Sequence, residues 1–228
     1  MPSYSGVWNL PAQMQAKAAG NWPVPPPSVI GQAYGGGFYA GQISTTGDGV
    51  ATHYLIVGPV STAQSGTIYW RNANSDTIGA ASVIDGPQNT ADMVADGTST
   101  VYPSAHFCND LTIGGYSDWY MPSQNELEIC YYNLKPVTTS NSTASGANTN
   151  AVPARASNYT SGTPPQTSAT AFQTGNAEAF TDAADYWSST ESSSDNLQAY
   201  VQRFSDGRQE DVYKNNNHRV RAVRRVPI

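Results

Sequence analysis

Few residues in this chain combine the type and the spacing that catalysis demands. The histidines His53, His106 and His218 lie far apart, and none stands in a metal-binding spacing such as HExxH. His106, beside Phe107 in a stretch of helical character, suits a satisfied, partly buried imidazole better than a ligand or a base. Glu126 and Glu128 form a carboxylate pair, but hydrolysis of a glycosidic bond needs an opposing acid across a cleft, and nothing in the sequence supplies one. No GxSxG elbow or P-loop is present, and Gly35-Gly36-Gly37 precedes a strand rather than a helix, which makes it a flexible entry and not a phosphate cradle. The expectation is a chain that is not an enzyme, with no cofactor and no metal.

The residue types that suit recognition are concentrated in 186–226. Leu197, Ala199 and Val201 alternate with Gln198, Tyr200 and Gln202, which predicts a strand with the first set facing inward. Ser205-Asp206-Gly207 reads as a hairpin turn, because Asp-Gly supplies the positive φ that a tight turn needs. Arg208 to Tyr213 is the expected return strand, residues 214–217 a second turn, and Arg219 to Val226 a closing strand with Val220, Ala222 and Val226 at period two. A core strand has no need of neighbours so rich in Asn, Gln, Asp and Arg, whereas a displayed surface does. Asn196, Gln198, Tyr200, Gln202, Ser205, Arg208, Glu210, Tyr213, Asn215, Asn217 and His218 are therefore the candidate contact residues. Tyrosine and arginine among polar side chains combine contact area with adaptable hydrogen bonding.

The rest of the chain must position that ribbon. Its 228 residues suit one generous domain, or one domain and a tether. Residues 1–35 read as an attachment arm. A short helix is expected from Asn9 to Gly20, too short to be stable alone, and prolines 23 and 25–27 make a stiff spacer after Trp22. Whether the arm docks on a partner or folds back is open. The domain over 36–228 is expected to begin with strands 36–44 and 50–60 and a shorter one at 66–71. Short helices are expected from Asn89 or Thr90 to Met93 and over Tyr102–Leu111. Ser123 to Leu134 is the clearest helix: Ser123 and Glu126 have capping-box spacing, and Leu127, Cys130, Tyr131 and Leu134 share one face. Residues 137–180, rich in Ser, Thr, Asn, Ala and Gly, read as a long irregular insertion, functional or pinned by its neighbours.

The net charge of −6 argues against nucleic acid as the partner, although seven of the eleven basic residues lie between Arg203 and Arg225. Arg221, Arg224 and Arg225 are expected to pair with carboxylates elsewhere in the fold. No apolar run is long enough to span a membrane, and the first residues have no secretory-signal pattern. The sequons at Asn141 and Asn158 therefore carry no weight. Cys108 and Cys130 are expected as buried free thiols, with a disulfide between them left open.

Asp118-Trp119-Tyr120-Met121-Pro122-Ser123, with Glu126 and Leu127, resembles the DWYLPS-x-x-EL signature of a C-type-lectin-like domain found in bacteriophages and bacteria. The same family pairs that signature with an aromatic-W-S-S-[ST]-E segment and a final V-R-A-V-R-R, which here are Tyr186 to Glu191 and Val220 to Arg225. The resemblance covers about residues 102–228. It implies an α+β, C-type-lectin-like fold: two helices, a small twisted antiparallel sheet, and the first and last strands brought together. Related domains include the variable receptor-binding proteins of diversity-generating retroelements, whose counterpart of 196–218 displays changeable side chains. On that likeness Trp119 and Trp187 are core residues, and Asp118 and Glu191 are structural acids partnered by arginines of the last strand. The calcium-binding EPN, QPD and WND triplets of sugar-binding C-type lectins are absent, and the cysteines lack the context of formylglycine-generating oxidases.

The resemblance implies a phage virion protein, a receptor-binding tip of a tail or fibre that meets a host surface protein or glycan through 196–218. Other virion proteins would hold its arm, and display on a particle favours a homo-oligomer, a trimer first. A capsid or tail decoration packed on neighbouring subunits is the alternative, and an enzyme acting on surface polysaccharide a third.

Overall fold

The computed structural model describes residues 13–14 and 25–228, so the helix expected from Asn9 to Gly20 lies almost wholly outside the described residues. Strands β1 (Ala33–Tyr34), β2 (Gly37–Ile43) and β3 (His53–Val57) lead to a single helical turn, α1 (Val60–Ala63), and strand β4 (Gln64–Tyr69). Helices α2 (Gly86–Asp96), α3 (Pro103–Asn109) and α4 (Gln124–Leu134) follow. After the two-residue β5 (Ala151–Val152) and a 3₁₀ turn at Thr170–Phe172 come β6 (Asp185–Glu191), β7 (Gln198–Arg203), β8 (Gln209–Tyr213), β9 (Asn217–Arg221) and β10 (Val223–Pro227). The chain is α+β. Among the described residues strand pairing begins inside the stretch read as the arm, since Ala33 and Tyr34 pair with Phe38 and Gly37.

The strands form two sheets rather than the one expected. The first runs β1-β2-β3-β10 with β5 on β2, and the second β4-β9-β6-β7-β8. The second is not purely antiparallel, since β6 and β9 run parallel at Tyr186 and Arg219. The closing stretch, expected as one strand, is two. Ala222 is fully buried between them; its N–H donates to Ala63 O at 2.9 Å and its carbonyl accepts from Gly58 N at 2.9 Å. Those bonds turn the chain out of one sheet and into the other. A Cβ on Gly58 would lie 2.3 Å from that of Ala63, so the crossing depends on a residue with no side chain.

Helix α4 forms as its sequence predicts. Glu126 Oε2 accepts the Ser123 N–H at 2.8 Å, and Leu127, Cys130, Tyr131 and Leu134 are buried. Its two glutamates, Glu126 and Glu128, are buried with them. Helix α2 starts earlier than expected, at Gly86, where Asp85 caps the first turn and a proline falls inside it. Cys108 and Cys130 are free and buried, and burial raises both thiols above their ordinary value.

Two apolar clusters fill the interior. One gathers Trp70, Tyr102, Trp119, Trp187 and Val201; the other gathers Leu127, Tyr131, Phe172, Tyr186 and Phe204. Residues 137–180 are mostly irregular, as expected, and polar side chains fix them to α4. Asn141 Oδ1 accepts from Tyr131 Oη at 2.5 Å and from Lys135 Nζ at 2.7 Å, while Asn141 Nδ2 donates to Pro164 O at 2.9 Å. Such bonds satisfy the backbone of a segment that has almost no ladder of its own.

Candidate recognition surface

The three sequence segments that stand out along the chain meet in space. Ser189 N donates to Pro122 O at 2.7 Å, and Gln124 N donates to Thr190 Oγ1 at 3.0 Å, so the Trp119 and Trp187 segments lie side by side. Tyr120 and Val223 exchange backbone bonds at 2.9 and 3.0 Å, which adds the last strand. Both tryptophans are buried as expected; Trp187 Nε1 donates to Ile68 O at 3.0 Å and Trp119 Nε1 to Tyr116 O at 3.1 Å.

The three arginines of the last strands each find a carboxylate. Arg221 reaches Glu178 at 2.8 Å, and Arg225 reaches Glu126 at 2.7 Å. Arg224 grips both oxygens of Asp118, at 2.7 and 2.8 Å, the fork geometry that makes such pairs strong. Asp118 is not a core residue, however, since about half of its side chain (55 %) meets solvent. Glu191 is buried but has a different partner from the one expected. Lys214 Nζ pairs with Glu191 Oε2, which also accepts the Thr77 N–H at 2.9 Å. Burial raises the Glu191 carboxyl and lowers the Lys214 ammonium, in each case against the pull of the pair.

On this frame the hairpin forms at the edge of the second sheet. Gln198 pairs with Tyr213, Tyr200 with Asp211, and Gln202 with Gln209, which places all six on one face. Gly207 takes φ +76° in the turn, and a Cβ there would lie 2.3 Å from the Tyr131 ring. Among the candidate residues, Asn196, Tyr213, Asn215 and Asn217 are exposed. Gln198, Tyr200, Ser205, Arg208, Glu210 and His218 are half-buried. Arg208 pairs with Glu210 at 2.9 Å in the open. His218 stands edge-on to the Trp187 ring, 4.8 Å between centroids, and burial lowers its pKa.

Two expectations fail on the hairpin. Gln202 is buried, not displayed: its Nε2 donates to Gly207 O at 2.6 Å, so it braces the turn from inside. Its alternation led outward, but residues 137–180 and α4 cover that half of the face; Ser145 Oγ, for example, accepts the Gln209 N–H at 3.0 Å. Leu197, expected to face inward, is exposed.

Sequence reading also missed the loop over 72–79. Lys214 Nζ donates to both Ser75 O and Asn196 O at 2.7 Å, and Asn215 N donates to Asn74 Oδ1 at 3.1 Å. The loop therefore borders the hairpin and exposes Ile78 beside it. The only signal was its Asn- and Ser-rich composition. Chemically the surface offers amides, hydroxyls, two tyrosines and an ion pair. Among the described residues no group of three or more His, Cys, Asp or Glu is placed to hold a metal, and no helix is long and apolar enough to cross a membrane.

Comparison with protein families matches residues 60–224 to the Lcl C-terminal domain, a span that runs from α1 into β10. The chain belongs to the Lcl C-terminal domain family. In this Lcl C-terminal domain the matched span contains the tryptophan segments, the Arg221 and Arg224 pairs, the hairpin and the 72–79 loop. A search of curated proteins finds no significant match. Among solved structures, a fimbrial protein from Bacteroides ovatus ATCC 8483 is 18 % identical with a TM-score of 0.43, covering 75 % of this chain and 35 % of that one. The chain thus spans about a third of that protein's length, and the likeness is too remote to bear on fold or function.

Proposed function

We propose that this Lcl C-terminal domain is a recognition module of C-type-lectin-like type in a bacteriophage virion protein. Its role is that of a receptor-binding tip of a tail or fibre, and it is a binder rather than an enzyme. The observation that carries the reading is the contrast within one element. The β7–β8 hairpin shows Asn196, Gln198, Tyr200, Arg208, Tyr213 and Asn215 to solvent while Lys214 and Gln202 hold it rigidly from beneath. Rigid support under adaptable side chains lowers the ordering cost of binding. Association of the family with phage-tail and adhesin-like proteins supports the same reading. The partner is a host surface protein or glycan, the arm joins other virion proteins, and a homotrimer multiplies a weak single contact.

The test is a cell-binding assay with Gln198→Ala, Arg208→Ala and Tyr213→Ala combined. The variant is expected to fold as the parent and to lose host-cell binding. Retention of binding sinks the hairpin as the recognition surface.

A second reading rests on the edge position of β8, whose outer side no other strand among the described residues pairs. An edge strand is a template for a neighbouring chain, so a decoration protein packed on adjacent subunits fits that feature. Antibody against 196–218 labels the native particle under the first reading and fails to reach it under the second.

A further inference from the structure

Among the described residues the second sheet has two strands at its ends, β4 on one side and β8 on the other. They are of similar length, six and five residues. Across the sheet, β9 runs antiparallel to β4 and parallel to β6, while β7 runs antiparallel to β6 and β8 antiparallel to β7. Strand β8 therefore runs opposite to β4. A second copy that continues the sheet with the same face up brings its β8 against β4 as an antiparallel pair, the slightly more stable of the two pairings.

The charges at the two edges are complementary. Arg219 on β9 is half-buried and, unlike Arg221, Arg224 and Arg225, meets no carboxylate among the described residues. Strand β4 bulges beside it, where Gly66 and Thr67 are exposed. A Cβ on Gly66 would lie 3.4 Å from Arg219 Nη1, so the guanidinium lies over the edge strand itself. At the other edge β8 has Glu210 and Asp211. Tyr186 pairs with both Arg219 and Gln202, and Gln202 pairs with Gln209, two residues before Asp211; Arg219 and Asp211 thus point to one face. Glu210 points to the other and is occupied by Arg208. Asp211 accepts the Ser192 and Ser194 hydroxyls at 2.6 and 2.9 Å, both on Oδ2, which leaves Oδ1 available. Those bonds hold its carboxyl below the ordinary range, so it is ionised at neutral pH. Like charges disfavour the symmetric alternatives. Strand β8 paired with its own copy sets Glu210 and Asp211 against the same acids, and β4 paired with its own copy brings two Arg219 side chains together.

We infer that copies of this chain join head to tail, β8 of one adding to β4 of the next, with Asp211 opposite Gly66 and paired with Arg219. The inference rests on the homo-oligomer of the function proposed above and gives it a contact. Pairing through the edge leaves the outward face of the hairpin uncovered, and each added copy leaves an edge free until a ring closes.

The experiment is sedimentation equilibrium of the full chain and of charge variants, with circular dichroism to confirm that each is folded. The parent is expected to exceed the mass of two copies. Arg219→Asp and Asp211→Arg, each alone, are expected to weaken association at least about ten-fold. Mixed in equal amounts, the two are expected to associate like the parent, because every edge then meets the opposite charge. Should Asp211→Arg unfold the chain by losing the serine bonds, Arg219→Asp and Arg219→Lys decide the matter, the first weakening association and the second keeping most of it. A parent that stays monomeric at about 0.1 mM or stops at two copies overturns the proposal. So does a folded Arg219→Asp that associates like the parent, or a mixture of folded variants that stays apart. Cell binding by the hairpin is a separate readout, so assembly can fail while recognition stands, and the reverse.

Discussion

Lys214 and Glu191 form a buried ion pair that ties three parts of the chain to one point. Lys214 lies at the end of the hairpin, Glu191 ends β6, and both bond to residues of the 72–79 loop. The Lys214 ammonium also sits 4.7 Å from the centre of the Trp70 ring. A charge so enclosed is stable only while its partner remains.

Replacing Lys214 by Met is therefore expected to cost about 3–5 kcal/mol, because it strands the Glu191 carboxylate in the interior. The double variant with Glu191→Gln is expected to recover much of that loss. Chemical denaturation of the two variants and the parent checks the difference. Equal stability of the single and double variants would show that Glu191 reaches water on its own.

Glu128 gives a pH dependence of unusual sign. Burial raises its carboxyl above the ordinary 4.5, although Arg155, Tyr159 and Asn148 pull the other way. The folded chain then holds this proton more tightly than the unfolded one, so the group's contribution to stability is full below the ordinary value and declines as pH rises through the raised one. Relative to Glu128→Gln, the parent is expected to gain stability between about pH 7 and about pH 4. Urea titrations of both proteins at the two pH values test it, and a parent that loses ground on acidification would refute it.

Trp187 packs at the centre of the first apolar cluster with its indole N–H satisfied. Trp187→Ala is expected to cost about 3–5 kcal/mol. A melting temperature within a degree or two of the parent would remove it from the core.

Gln202 and Tyr213 both belong to the hairpin and should respond differently. Gln202→Ala leaves Gly207 O without its donor and is expected to cost about 1–3 kcal/mol. Tyr213→Ala, on the open side, is expected to stay within about 0.5 kcal/mol of the parent. Thermal melts of the two separate them, and similar melts would mean that the turn is not braced from inside.

What the sequence made legible was local chemistry. The capping pair Ser123 and Glu126, the Asp206-Gly207 turn and the alternation through Ala199 and Val201 all rest on contacts a few residues long. Carboxylate partners for the three arginines were also expected, because clustered arginines commonly neutralise a protein's own acids. What it hid depends on distant parts of the chain. Lys214 precedes three asparagines and looks like turn surface until the 72–79 loop is seen to close over it. Gln202 continues an outward alternation until the 137–180 stretch covers it. Ala222 is in step with its strand, yet two carbonyl and amide partners, Gly58 and Ala63, take it out of that strand. The loop that borders the hairpin has no periodicity from which to place it.

The arginine pairs of the last two strands have a consequence for the order in which the molecule is made. Arg221, Arg224 and Arg225 reach back to Glu178, Asp118 and Glu126, and β9 lies inside its sheet between β4 and β6. Until residues 217–227 have left the ribosome, the second sheet lacks an inner strand and three acids lack their cations. Synthesis adds about 5–20 residues per second, so these eleven residues delay completion of the sheet by about 0.5–2 seconds. A chain that stops before residue 217 lacks the inner strand β9 and all three of these arginine pairs, so it is expected to melt well below the complete chain.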